Sequence, residues 1–334
     1  MENRVPNLIH CNKIADLISY LPKNCRIITI IDPVVEKLYG DCIPFKKIVV
    51  EASESNKSIS GVEKLTLELL KMGADRVTFL LGVGGGIITD LTGFLASIYM
   101  RGIRFGFIPT TLLAQVDASI GGKNGVNIQG FKNIAGVFNK PEFILICKDF
   151  LETLPEKEIK GGLSEMLKTF LISDRDSFLF VTDLIEKSGY NTQKLSEWID
   201  KAAHIKFSIT ERDPFDRGER ELLNLGHTFA HALEKVCKIS HGEAVAIGIN
   251  IAVLISVRIG LLKPQEGDII CKGLVRCGLE VNSPIPVSSL ADAIIRDKKK
   301  SGDKIRLVLL ESAGKAISYP LDINILDKYL YDLS

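Results

Sequence analysis

The stretch LGVGGGIITDLTGFLAS, residues 81–97, decides the fold. A short apolar run reaches Gly82, three glycines follow at Gly84, Gly85 and Gly86, and from Ile87 the apolar positions recur at three and four residues. A β-rich run, a glycine turn and an amphipathic helix in that order predict the strand–turn–helix unit of a nucleotide-binding α/β layer. Glycines let a ligand approach the backbone, and the first helical N–H groups suit a pyrophosphate. Asp90 lies in the first turns of that helix, where helix polarity favours a negative charge. The match to G-x-G-x-x-G is imperfect, so the turn leaves two readings open: a dinucleotide site, and a tight strand-to-helix turn without a ligand.

Around this unit, four more short runs bounded by turn residues read as strands: residues 26–33, 46–51, 104–110 and 143–147. Helical patterns such as residues 60–73 lie between several of them. The alternation predicts a Rossmann-like α/β domain with a mainly parallel sheet over residues 1–150. After Pro155 the pattern changes to long helical periodicities at 160–171, 176–187, 195–210, 219–236, 243–259 and 265–277. These predict a mostly helical second domain over residues 151–334, with a hairpin at 304–321.

Composition limits the function classes. The chain has 334 residues, 46% hydrophobic and 25% charged, with a formal net charge of +1. That balance fits a globular protein with a sizeable core. No global field favours nucleic acid or an acidic membrane surface, so an anion needs local basic residues. No unbroken apolar run approaches the roughly 20 residues of a membrane span. The start, MENRVPNLIHCNK, lacks the apolar block of a secretory signal, and the seven scattered cysteines form no CxxC pair. Both features predict a cytoplasmic protein with free or buried thiols.

Three of the five histidines fall between residues 227 and 241. His227 and His231, four apart, share one helical face, and His241 opens an apolar helix. Imidazoles clustered in this way suit a divalent metal such as zinc, with Glu165 available upstream as a carboxylate ligand. Spacing alone selects His227 and His231. Residues 115–133 are rich in Gly, Asn and Lys and read as a ligand-contacting loop, with Asp117 six residues before Lys123. Lys168 shares a helical face with Glu165, and Lys206, Arg220 and the run 298–300 add positive charge for a small polyanion.

The order of motifs is more specific than any one of them. GGGIITDLTGF, YMRG, IPTTLLAQVDASIGGKNGVN, FKN, LPEKEIKGGLSEMLK, GERELLNLGHTFAHALE and HGEAVAIG together resemble the 3-dehydroquinate synthase family from about Leu81 to Gly248. The resemblance implies NAD and a divalent metal, zinc with cobalt as the alternative, held by Glu165, His227 and His241; His231 then becomes a substrate contact. It implies cofactor contacts at Asp32, Glu54, Lys57, Gly84, Gly85, Gly86, Ile87, Asp90, Thr110, Thr111, Lys132, Phe150, Thr153, Leu154 and Glu158. Catalytic and substrate contacts fall on Asp117, Lys123, Asn133, Lys168, Lys206, Arg220, Asn224, His231 and one of Lys298 and Lys299. Arg101 would reach the neighbouring subunit of a homodimer. The implied substrate is a small sugar-acid phosphate; neither nucleic acid nor a membrane is an expected partner.

The chain departs from the family at three points, one of them a loop between His227 and His241 that is about two residues short. Relatives usually carry Asp-x-Asn after the first strand, where this sequence reads Asp32-Pro33-Val34; Asn124 stands where a threonine usually follows GGK. The nearest rival classes are inosose- or valiolone-forming cyclases and polyol dehydrogenases of the iron-dependent type, which carry a similar triple-glycine turn. Asn224 and His231 resemble the dehydroquinate pattern more than that of the other cyclases. A simple polyol has no need of Lys123, Lys206 and Arg220.

Overall fold

A computed structural model of the chain describes residues 7–290, 294 and 304–332. It divides into two compact units, Met1–Glu158 with Ile199–Phe215, and Ile159–Trp198 with Asp216–Ser334.

The first unit is built on six strands: β1 (Asn7–Cys11), β2 (Ile27–Ile31), β3 (Lys46–Val49), β4 (Phe79–Gly84), β5 (Arg104–Pro109) and, after an intervening hairpin, β8 (Phe143–Cys147). They lie in the order β1-β8-β5-β4-β2-β3, every pair parallel. Every residue of β2, β4 and β8 is buried. Near-continuous apolar runs are what a parallel sheet covered on both faces requires. Alternation along the strands divides the core in two. Ile28, Ile30, Leu80, Ile144 and Ile146 pack with Leu65 and Leu69 of helix α2 (Ile59–Lys71) and Leu91 and Leu95 of α3 (Gly86–Ile98). Ile27, Ile31, Phe79, Leu81, Val83 and Leu145 face Leu17, Leu21 and Ile43 on the other side.

Strand order reverses at β2. From β2 the chain passes through α1 (Pro33–Tyr39) to the edge strand β3, then crosses back to β4 on the other side. Ligands of open α/β sheets bind outside the carboxyl ends of strands at such a reversal. Asp32 follows β2 and the glycine turn follows β4, so sequence order alone delivers both to that point.

Residues 115–133, expected as a loop, contain more structure. A π-helical turn (Ala114–Ala118) carries Asp117, and β6 (Lys123–Ile128) pairs antiparallel with β7 (Phe131–Phe138).

The second unit contains α4 (Glu156–Ser173, from Ile159 onward), α5 (Arg175–Ser188), α7 (His227–Cys237), α8 (His241–Arg258) and α9 (Pro264–Arg276). A hairpin of β9 (Lys304–Ser312) and β10 (Lys315–Asp322) and a last helix α10 (Ile323–Asp332) complete it. The periodicity expected to run unbroken over 219–236 is interrupted. A 3-10 turn ends at Asn224, and Gly226, with φ +78°, restarts the chain as α7. A Cβ on Gly226 would lie 2.6 Å from the backbone nitrogen of Ile249 on α8, so glycine here answers both a left-handed backbone and a close approach.

Helix α6 (Ser196–Arg212) is the main difference from the expected division at residue 150. From Ile199 it belongs to the first unit, and Ala203 lies in the core beneath α2 and α3. Periodicity gave α6 an apolar face but not the layer that face meets. Helix α8 is long and apolar enough to cross a membrane, but 67% of that stretch is buried inside the protein, which accounts for its apolarity. All seven cysteines are free thiols.

Candidate active site

The dinucleotide turn is shaped by packing first. A Cβ on Gly84 would lie 2.6 Å from Ile88 Cγ1 and one on Gly85 3.1 Å from Thr111 Cγ2, so strand, turn and the Thr110–Thr111 segment close tightly. Thr110 is buried and its N–H donates to the Gly84 carbonyl at 3.0 Å. Gly85 at the N-cap makes no side-chain cap, so the first N–H groups of α3 are not occupied by a capping side chain. Ile87 and Asp90 stand half-buried on the first turns of α3. This cradle suits a pyrophosphate. Asp32 has a structural task as well: its Oδ1 accepts from Val34 N–H at 2.8 Å, capping α1, and its Oδ2 accepts from Ala52 N–H at 3.3 Å. Phe150 is buried against Tyr39, whose hydroxyl is 2.7 Å from Thr153 Oγ1; Leu154 is half-buried and Glu158 exposed.

Two ion pairs hold charged residues of this unit. Lys57, buried, pairs with Asp90. Burial pushes the Asp90 carboxyl up to about 6, against the opposing pull of Lys57 and, more weakly, Lys206. Lys206 in turn forms an ion pair with Asp117, Nζ lying 2.6 Å from Oδ1, and donates to the Asp117 carbonyl at 2.7 Å. Helix α6 thus brings Lys206 to the π-helical turn. On the hairpin, Lys123, Lys132 and Asn133 are exposed, and Lys132 Nζ is 3.6 Å from Glu54 Oε1. Arg101 is exposed, and the consecutive left-handed residues Met100 (φ +48°) and Arg101 (φ +70°) hold it in a strained turn.

In the second unit Glu165, His227 and His241 offer one oxygen and two nitrogens that all lie within 4.8 Å of one another. Glu165 is fully buried on α4. Its Oε1 lies 3.1 Å from His241 Nε2 and 3.5 Å from His227 Nε2, while Oε2 pairs with Lys168. The other ring nitrogens turn outward: His227 Nδ1 is 3.3 Å from the Leu225 carbonyl, and His241 Nδ1 is 3.5 Å from Glu234 Oε2. Those acceptors take the Nδ1 protons and leave both Nε2 lone pairs aimed at a carboxylate oxygen. Three electron-pair donors so placed repel one another unless a cation sits among them. One carboxylate and two imidazoles are the donor set of a catalytic zinc site with room for further ligands.

The electrostatics agree. Burial would raise Glu165, but Lys168 and the two imidazoles outweigh it and hold the carboxyl well below its usual range. Burial and the nearby Lys168 ammonium push His227 down to about 3, so it stands neutral and ready to ligate. Burial also pulls on His241, but Glu165 and Glu234 prevail and raise it to about 10; a cation bound among the three donors would displace the Nε2 proton.

Glycines make this convergence possible. A Cβ on Gly242, next to His241, would lie 2.2 Å from the Cα of Gly161 on α4, one turn before Glu165. A Cβ on Gly248 would lie 2.2 Å from the carbonyl of Gly226, the residue before His227. Each ligand therefore stands within a turn of a helix crossing so close that only glycine fits. Glu234 and these glycines escaped the sequence reading; a small residue flanking each histidine was the available signal.

His231 is exposed, its ring centroid 5.6 Å from that of His227, and the converging donors are Glu165, His227 and His241. Arg220 is buried and Asn224 exposed, both on the 3-10 turn before α7. Lys298 and Lys299 lie outside the described residues.

A parallel sheet with a glycine turn at its reversal point, and a carboxylate–imidazole cation set on helices, are the equipment of a dinucleotide- and metal-dependent enzyme. Comparison with known proteins narrows this class. The 3-dehydroquinate synthase N-terminal family model matches residues 47–161 and the C-terminal model residues 162–300. The 3-dehydroquinate synthase of Natranaerobius thermophilus is 36% identical over 317 residues, 89% of this chain and 86% of that protein. Among solved structures, 2-epi-5-epi-valiolone synthase from Streptomyces hygroscopicus, with NAD+ and Zn2+ bound, superposes with a TM-score of 0.88 at 25% identity, over 100% of this chain and 98% of that one. A 2-deoxy-scyllo-inosose synthase complexed with carbaglucose-6-phosphate, NAD+ and Co2+ gives 0.88 at 24%, over 99% and 98%. The chain belongs to the 3-dehydroquinate synthase family.

Proposed function

We propose that the chain is a phosphate-eliminating carbon–oxygen lyase that converts 3-deoxy-arabino-heptulosonate 7-phosphate to 3-dehydroquinate and phosphate, as a cytoplasmic homodimer. The observation that carries this reading is the buried Glu165–His227–His241 set in a chain that matches the family models on both sides of residue 161. The free cysteines agree with a reducing compartment.

When bound, NAD supplies a hydride acceptor that returns what it takes, and the divalent ion supplies a Lewis acid for a substrate hydroxyl. The chain's residues do the rest. Glu165, His227 and His241 would hold the ion, with Glu234 and the Leu225 carbonyl fixing the imidazoles. The α3 turn, Lys57–Asp90, Glu54, Thr110, Thr111, Lys132 and the segment from Phe150 to Glu158 would seat the dinucleotide. Lys168 and Asp117 would orient substrate hydroxyls and hold protons there. Lys206 and Arg220 suit a carboxylate, the latter by paired hydrogen bonds. Lys123, Asn133, Asn224, His231, one of Lys298 and Lys299, and Arg101 of a second copy suit the phosphate.

Phosphate release from the heptulosonate phosphate, measured with NAD and zinc before and after chelation, tests the reading. Release that needs both additions, without net NADH, is expected. No release from a folded, zinc-loaded protein would point to another cyclase, and net NADH from glycerol-like alcohols would point to a dehydrogenase.

A further inference from the structure

Asn127 joins two sets of residues that the functional reading keeps separate. It sits in β6 between Val126, which pairs with Ala135, and Ile128, which pairs with Phe131, so that at this irregularity one β6 residue stands opposite three of β7, Asn133 among them. Such a bulge re-aims a side chain. The Asn127 side chain is buried, at 9% exposure, and both of its ends are used. Nδ2 donates to Glu54 Oε2 at 2.6 Å and approaches the Glu54 carbonyl at 3.3 Å. Oδ1 accepts the N–H of Asn133 at 2.9 Å. Its backbone N–H donates to the Lys57 carbonyl at 2.8 Å. One carboxamide thus binds the segment bearing Glu54 and Lys57, assigned to the dinucleotide, to Asn133 on β7, assigned to the substrate phosphate. Asn133 is in the left-handed region at φ +53°, so the hydrogen bond on its N–H helps hold a conformation the chain does not favour.

We propose that Asn127 is a positioning residue that couples the cofactor-contacting segment to the phosphate-contacting hairpin, so that dinucleotide and phosphate strengthen each other's binding. The inference rests on the residue roles of the functional reading above. A ligand that orders either segment orders the other through this amide, and the second ligand then meets a prepared partner. The chemistry requires Asn. Aspartate has no N–H for Glu54 and would set two carboxylates against each other; serine cannot span both partners; an aliphatic residue would strand both groups.

The test is titration of NAD into the zinc-loaded full chain, without and with saturating inorganic phosphate. In the wild type, phosphate tightens NAD binding by about fivefold or more, and NAD tightens phosphate binding by the same factor, as linkage demands. In Asn127→Ala that factor falls to about one while NAD still binds. Glu54→Ala, on an exposed side chain, cuts the other end of the link and gives the same loss; it decides the matter if Asn127→Ala does not fold. A purely structural role for Asn127 would lower stability and leave the factor intact. An intact factor in the variants, or a wild type whose NAD affinity ignores phosphate, overturns the inference and leaves the functional reading standing. Failure of the wild type to bind NAD at all would overturn both.

Discussion

Replacing Asp90 with Asn should reverse part of the protein's pH dependence of stability. Asp90 pairs with buried Lys57, and an ion pair by itself would lower the carboxyl. Burial acts oppositely and prevails, raising it from 3.8 to about 6. Between those values the folded chain keeps a proton that the unfolded chain has lost. Stability contributed by that proton is complete below pH 3.8 and is lost as pH rises through about 6. At 1.36 kcal/mol per pH unit the loss is about 3 kcal/mol. In Asp90→Asn this loss is absent. The variant should therefore gain about 3 kcal/mol on the wild type between about pH 4 and about pH 7.5. Urea unfolding of both proteins across that range, without added NAD, measures the tilt between the two curves. Their constant offset includes the partner Lys57 has lost; the tilt does not. Parallel curves would mean that Asp90 titrates at its ordinary value. A variant that loses ground as pH rises would mean that the Lys57 pair outweighs burial, and would refute the reasoning.

Glu234→Gln should weaken zinc binding by about tenfold to a hundredfold by loosening His241, read as zinc content after dialysis against a graded chelator, with the fold unchanged by circular dichroism. Lys206→Met should cut turnover by about a hundredfold or more in the phosphate-release assay while NAD still binds, if the Lys206–Asp117 pair has the substrate-positioning role proposed for it. Gly242→Ala should cost about 1 to 3 kcal/mol in unfolding free energy, because its Cβ meets the α4 backbone, and should lower zinc retention in the same protein. Both effects must appear together; lost stability with undiminished zinc retention would mean that this crossing does not set the ligand geometry.

What the sequence disclosed, and what it did not, follows from the range of the interactions. The glycine turn, the alternating strands and helices and the 304–321 hairpin were legible because period and turn chemistry are local. The layer that α6 joins was not legible. Its apolar face is the same whether it packs on its sequence neighbours or returns to the sheet unit, as it does through Ala203 and Lys206. The hairpin 123–138 was hidden because β7 is largely exposed and lacks a buried face to impose period-two patterning. Asn127 gave no signal, since one amide among Gly, Asn and Lys has no period at all.

The histidines show the same limit at higher stakes. Spacing reports only which residues share a helix face, and His227 and His231 do lie on adjacent turns of α7. A cation needs donors that converge in space, and convergence here depends on how closely α4, α7 and α8 cross. That distance is set by Gly161 against Gly242 and by Gly226 against Gly248, where a methyl group would already collide. The position of the metal set is thus written more in four glycines than in the histidine spacing. If this is right, alanine at position 242 should disturb the site more than alanine at His231, although only the histidine has a nitrogen to offer.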